Sequence, residues 1–88
     1  MEIQIKLFGS SKMLSENETL FISLPENSNI GQLRSSLKKF IDEKYSKSNL
    51  GNLPNSAAFF SEKNEIIDDN YKLKNKELIS IIPPIGGG

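Results

Sequence analysis

The sequence predicts an α+β fold: a mixed sheet with one main helix packed on one face, followed by a flexible C-terminal tail. Three observations carry this. Ile3, Ile5 and Leu7 alternate with Gln4 and Lys6, which is the period of a strand. Ile30, Leu33, Leu37, Phe40 and Ile41 recur at helical spacing and make one apolar stripe. Leu78-Ile79-Ser80-Ile81-Ile82 is an apolar run of strand length, after which the chain turns to proline and glycine.

The elements follow in order. The first strand runs into Phe8 and is broken by Gly9-Ser10-Ser11. Leu20-Phe21-Ile22-Ser23-Leu24 reads as a second strand ended by Pro25. The polar stretch between the two suits an antiparallel hairpin with a long connection. Asn29 is a good N-cap for the helix, with Gln32 three residues later in a capping-box arrangement. Arg34, Lys38, Lys39, Asp42 and Glu43 fall mainly on the wet side, and the helix is expected to end near Tyr45. Residues 46–56 read as an irregular connection with Leu50 and Leu53 tucked under it. Ala57-Ala58-Phe59-Phe60 is a short third strand, Glu62-Lys63-Asn64 a turn, Glu65-Ile66-Ile67 a short returning strand and Asp68-Asp69-Asn70 another turn. Leu73 is expected to anchor a loop in the core, and Tyr45 and Tyr71 to be half-buried packing residues. The last strand, apolar on both faces, suits a central position covered on both sides.

The order is thus β-β-α-β-β-β, with the last strand central and parallel to the first and the helix covering one face. This is the β-grasp arrangement of ubiquitin-like domains. It divides the chain into a domain over 1–82 and a tail over 83–88.

Composition limits the chemistry. The chain has 88 residues, enough for one domain and one small core. It carries 11 Lys and Arg against 11 Asp and Glu, so its formal net charge is zero. This argues against bulk attraction to nucleic acid or an anionic membrane. Without cysteine or histidine there is no thiolate nucleophile, no disulfide and no imidazole base or ligand. Asp68, Asp69 and Glu65 lack the spacing of a cation site and read as a solvated turn, so neither metal nor cofactor is expected. The start lacks the pattern of a signal peptide, and no apolar run approaches the ~20 residues of a membrane span. The expectation is a soluble cytoplasmic protein.

What remains for chemistry is the chain end. Pro83 and Pro84 lack the N–H a ladder needs and favour extended geometry, so they direct the tail off the last strand. Six extended residues reach at most ~20 Å. Gly86, Gly87 and Gly88 carry no side chains and can thread a narrow channel in a partner. The group delivered there is a carboxylate, which a partner can activate with ATP as an acyl adenylate. Glycines at a terminus are also common as inert ends; it is their position after a β-grasp order and Pro-Pro that is unusual.

The ending Ile81-Ile82-Pro83-Pro84-Ile85-Gly86-Gly87-Gly88 resembles that of the small subunit of molybdopterin synthase. That family typically closes with Pro-Pro, an apolar residue, a variable residue and Gly-Gly; Gly86 takes the variable place. Ile3-Gln4-Ile5-Lys6-Leu7-Phe8-Gly9 resembles its first strand, and Asn29-Ile30-Gly31-Gln32-Leu33-Arg34 is similar to its helix start. The resemblance spans nearly the whole chain, and the tail is its specific part. Relatives commonly carry Gly-Asp-Glu where this chain has Asn75-Lys76-Glu77; Asn75 can still adopt the left-handed turn conformation, so the fold is retained. Residues 46–56 are more polar and Asn-rich than the family pattern.

The resemblance implies a sulfur carrier of molybdenum cofactor biosynthesis, a sulfur-donor subunit rather than an enzyme alone. An ATP-dependent adenylyltransferase similar to ubiquitin-activating enzymes would adenylate Gly88, and a sulfurtransferase would supply sulfur to give a thiocarboxylate. Pro83, Pro84, Ile85, Gly86 and Gly87 would insert into the large synthase subunit, where the sulfur passes to cyclic pyranopterin monophosphate. Phe59, Phe60, Ile79 and Ile81 are more apolar residues than one sheet face needs. Those pointing away from the helix would form a partner surface. Three other readings stand beside this one: a ubiquitin-like modifier joined to lysines, a thiazole-pathway sulfur carrier, which is usually shorter and lacks Pro-Pro, and a non-catalytic β-grasp binding module. Removing Gly87 and Gly88 separates the last from the carriers, since a binding module keeps its binding.

Overall fold

The computed structural model describes residues 1–9, 17–44 and 53–83. The connection 10–16, the expected half-buried Tyr45, the expected anchor Leu50 and the tail from Pro84 to Gly88 lie outside the described residues.

Strands β1 (Glu2–Leu7) and β2 (Thr19–Ser23) form the expected antiparallel hairpin, with Ile3 opposite Ile22, Gln4 opposite Phe21 and Ile5 opposite Leu20. Helix α1 (Ile30–Lys44) follows, then a four-residue helical turn α2 (Leu53–Ser56), then β3 (Ala58–Phe60), β4 (Ile66–Ile67) and β5 (Leu78–Ile82). The sheet order is β2-β1-β5-β3-β4. β5 therefore lies at the centre, parallel to β1 and antiparallel to β3.

α1 starts where the capping residues place it. The Asn29 N–H donates to Gln32 Oε1 at 2.8 Å, and the Gln32 N–H donates to Asn29 Oδ1 at 2.9 Å. This reciprocal pair satisfies two donors that the first turn leaves free. Ile30, Leu33, Leu37 and Ile41 are buried along one side of α1. They meet Ile3, Ile5, Leu7, Leu20, Phe59, Ile79 and Ile81 from the inner sheet face, and Leu24, Leu53, Ala57 and Leu73 close the core. Burying one such large side chain contributes about 1.5–3 kcal/mol, so the α1–sheet interface is the main source of stability. Leu73 is the core anchor expected in its loop, and Tyr71 packs half-buried against the same cluster.

Four expectations are corrected. The end of the 46–56 connection is not irregular: Leu53–Ser56 makes a helical turn closed by Ala57 N–H to Leu53 O at 2.9 Å. Pro54 sits in its first turn, where a missing N–H costs nothing, and both Leu53 and Pro54 are buried. Arg34 does not lie on the wet side, because its guanidinium is drawn inward. Nη1 donates to Pro54 O at 2.7 Å and Ala57 O at 2.8 Å, Nε donates to Asp69 Oδ1 at 2.7 Å, and the group lies 4.7 Å from the Phe59 ring centroid. The left-handed residue before β5 is Lys76 (φ 64°), not Asn75. Asn75 is used differently, its Oδ1 accepting from the Glu2 N–H at 2.8 Å. Finally, β5 is covered on one side only: among the described residues no element packs on the sheet face opposite α1.

The acidic turn is engaged by the fold. Asp68 Oδ1 accepts from the Asn70 N–H at 2.9 Å, and Asp69 pairs with Arg34. No helix among the described residues is long and apolar enough to cross a membrane.

Candidate functional site

The uncovered face follows from the pairing register. Residues buried against α1 alternate with residues turned the other way. Across the sheet these make rows: Phe21, Gln4 and Leu78 in one, and Thr19, Lys6, Ser80, Phe60 and Ile66 in the next. Ile82 and Ala58 make a third. Phe21 is 58% exposed and Ile66 71%, while Phe60, Leu78, Ile82 and Ala58 are half-buried. The result is an apolar area over β5, β3 and β4, with Phe21 at the far edge.

This resolves the four residues singled out in the sequence. Phe60 belongs to the outer face. Phe59, Ile79 and Ile81 do not, since each is 0% exposed and buried against α1. Residues that the sequence reading passed over take their place: Leu78, Ile82, Ala58 and Ile66. A signal for two of them was available. Ser80 is the single polar residue in β5, and alternation puts Leu78 and Ile82 on its side.

The root of the tail is described through Pro83, directly after β5. It leaves from the C-terminal end of the central strand, beside Ile82 in the third row. Gly9 takes a left-handed φ of 56°, and a side chain built there would meet Pro83 Cγ at 3.7 Å. The turn after β1 therefore lies against the tail root, in a conformation that favours glycine. Pro84, Ile85, Gly86, Gly87 and Gly88 lie outside the described residues, so the structure does not join them to this surface.

A groove beside β4 is lined by Lys63, Ile66, Tyr71, Lys74 and Glu77 among others. It lies toward the start of β5, at the opposite end from the tail. Within it the Tyr71 hydroxyl donates to Glu77 Oε2 while the Lys74 N–H donates to Glu77 Oε1 at 2.8 Å. The bond to Glu77, followed by burial and the charges of Glu77 and Glu65, pushes the Tyr71 phenol up to about 12. A phenol held protonated this way and a carboxylate already bonded through both oxygens are a structural arrangement rather than an acid–base pair. No cluster of three metal-ligating side chains occurs among the described residues.

No family model matches the chain, and neither does any curated protein. Solved structures do. SAMP1 from Haloferax volcanii matches with a TM-score of 0.70 over 100% of both chains, at 16% identity. A putative molybdopterin converting factor subunit 1 from Pyrococcus furiosus gives 0.70 at 20% identity, over 96% of this chain and 98% of that one. A chain from the complex of subunits 1 and 2 of the molybdopterin-converting factor of Helicobacter pylori gives 0.59 at 26% identity, over 100% of both.

Topology and likeness together define the fold class: the chain has the ubiquitin-like β-grasp fold. The solved structures that share this fold include two described as parts of a molybdopterin converting factor, the family whose small subunit the sequence resembles.

Proposed function

We propose that this chain is a sulfur carrier that works through the carboxylate of Gly88, as the sulfur-donor subunit of a molybdopterin synthase. The observation that carries the reading is the placement of the tail root. A central strand, β5, ends at Ile82, and Pro83 begins the Pro-Pro-Ile-Gly-Gly-Gly sequence beside an apolar outer face. A partner that docks on this face would lie next to the residue from which the tail begins. The 26% identity to a chain of a two-subunit converting-factor complex supports a large-subunit partner.

In this reading an adenylyltransferase joins the Gly88 carboxylate to AMP with release of pyrophosphate. The persulfide of a sulfurtransferase then attacks the acyl carbon and displaces AMP, and a second thiol reduces the resulting acyl disulfide, leaving a thiocarboxylate on Gly88 and a disulfide on the donor side. Pro83 and Pro84 hold the tail extended while Ile85 and the glycines occupy the large subunit's channel, and the sulfur passes to cyclic pyranopterin monophosphate. None of these steps draws on a cysteine or histidine of this chain.

A modifier role is the second reading, favoured by the match to SAMP1, also described as small archaeal modifier protein 1, in two structures. Both readings share the adenylate and part afterwards. The test is intact mass after incubation with ATP, a sulfur source and the cognate adenylyltransferase. Replacement of one oxygen by sulfur at Gly88 is expected. Covalent attachment to lysines of other proteins without that replacement would turn the assignment to a modifier. Neither product, with a partner active on another carrier, would leave a binding module.

A further inference from the structure

The hydrogen-bond pattern of β1 fixes which backbone groups of β2 face outward. Met1 and Leu24 exchange both bonds, the Leu24 N–H to Met1 O at 2.8 Å and the Met1 amine to Leu24 O at 2.6 Å. At the other end the Leu7 N–H donates to Glu18 O at 2.9 Å. Bonded pairs in an antiparallel ladder recur every second residue, so Ile22 and Leu20 also face β1. The intervening β1 residues turn the opposite way: the Gln4 N–H donates to Glu77 O at 2.9 Å, and Glu2 O accepts from the Lys76 N–H at 2.6 Å. By the same alternation the N–H and C=O groups of Thr19, Phe21 and Ser23 point out from the free edge of β2, which ends the sheet.

Among the described residues that edge lacks the usual guards. Thr19–Ser23 contains no charge and no proline, and its middle residue, Phe21, is an exposed aromatic. It is also self-complementary. An antiparallel copy centred on Phe21 sets Phe21 against Phe21 and Thr19 against Ser23, a register that makes about six backbone hydrogen bonds. On the outer face the two Phe21 rings meet as a cross-strand aromatic pair. On the inner face Leu20 comes opposite Ile22, which is only half-buried in the single chain. No charge opposes a like charge within the strand, and the zero net charge of the chain sets no long-range repulsion between copies.

We propose that the free edge of β2 pairs with the same edge of a second copy of this chain, antiparallel and centred on Phe21, to make one continuous sheet. The proposal is independent of the sulfur-carrier reading. It leaves the tail root and the β3–β5 part of the outer face free, since both lie at least two strands inward. A five-residue edge with one aromatic falls below the ~1,200 Å² of standard interfaces, so the pair is a weak one and is sought up to about 1 mM.

Sedimentation equilibrium of the full chain between about 10 μM and 1 mM tests it across that range. The weight-average mass should rise from 9.8 kDa toward twice that value. Phe21→Lys sets two like charges opposite each other, and Phe21→Pro removes an N–H that β1 does not use. Both variants should stay at the single-chain mass with an unchanged far-ultraviolet circular dichroism spectrum. Should a variant fail to fold, amide exchange of the unaltered chain decides: protection of Thr19, Phe21 and Ser23 should grow with concentration, while that of Leu20 and Ile22 stays constant. A constant single-chain mass, an association that survives both folded variants, or concentration-independent exchange at Phe21 would each overturn the proposal.

Discussion

Tyr71 shows how a single side chain couples a loop to the sheet and makes that coupling measurable. Its hydroxyl is held by Glu77, six residues on, and the phenol is pushed up to about 12, first by that bond, then by burial, then by the charges of Glu77 and Glu65. An unfolded tyrosine loses its proton near 10. Between these values the unfolded chain has lost a proton that the folded chain keeps, so high pH favours unfolding. The contribution is fully present below about pH 10 and disappears as pH rises toward about 12. Comparing denaturant unfolding of the unaltered chain with Tyr71→Phe across that window isolates it. The difference in stability should shrink as pH rises, and phenolate absorbance should lose its late-titrating component in the variant. Parallel curves would show that Glu77 does not hold the phenol. The half-buried position of Tyr71 was legible in the sequence; its partner was not, because a six-residue loop spacing has no fixed geometry.

At the scale of elements, legibility followed the regularity of the pattern. The stripe on α1 and the Asn29–Gln32 pair are local, period-bound features, and both appear as expected. Placing Arg34 required knowing where α2 falls relative to α1, which is a tertiary fact. The left-handed turn falls at Lys76 rather than Asn75, whose Oδ1 instead accepts from the Glu2 N–H, a pairing across 73 residues that no local pattern reveals. Arg34 is the link among α1, α2 and the acidic turn, and its bonds rank by burial. Those to the Pro54 and Ala57 carbonyls are charge-assisted and partly buried, while Asp69 is 60% exposed. Arg34→Ala is therefore expected to cost about 2–3 kcal/mol, since two carbonyls lose a charged donor. Asp69→Ala should cost less than about 1 kcal/mol. Arg34→Lys should fall between, because an ammonium cannot reproduce the planar fork. Urea midpoints measure the order, and equal losses for Arg34→Ala and Asp69→Ala would show that the two carbonyl bonds contribute nothing.

For the whole molecule the decisive property is that, among the described residues, its sheet has one face covered by α1 and one face on which no element packs. The sequence showed an excess of apolar residues in the late strands but did not sort them, because β3 and β4 are too short and too uniformly apolar to reveal a parity. Once the register is known, Phe59 and Phe60 have opposite duties: one fills the core at 0% exposure and the other joins the outer surface. Substitutions on the two faces should then separate folding from docking. Phe59→Ala opens a cavity beneath α1 and is expected to cost about 3–5 kcal/mol, a large part of the ~5–15 kcal/mol available to a domain. Ile66→Lys alters a side chain that is 71% exposed and should change stability by less than about 0.5 kcal/mol. Combined with Phe60→Ser it removes apolar area from the proposed contact with the large subunit. Loss of one anchor of about 1.4 kcal/mol weakens binding tenfold, so titration calorimetry with that subunit should show at least a tenfold loss of affinity for the pair. The variant should still accept sulfur at Gly88 if the adenylyltransferase reads mainly the tail. Undiminished affinity for the large subunit would remove the outer face from the docking surface and leave the tail alone as the point of contact.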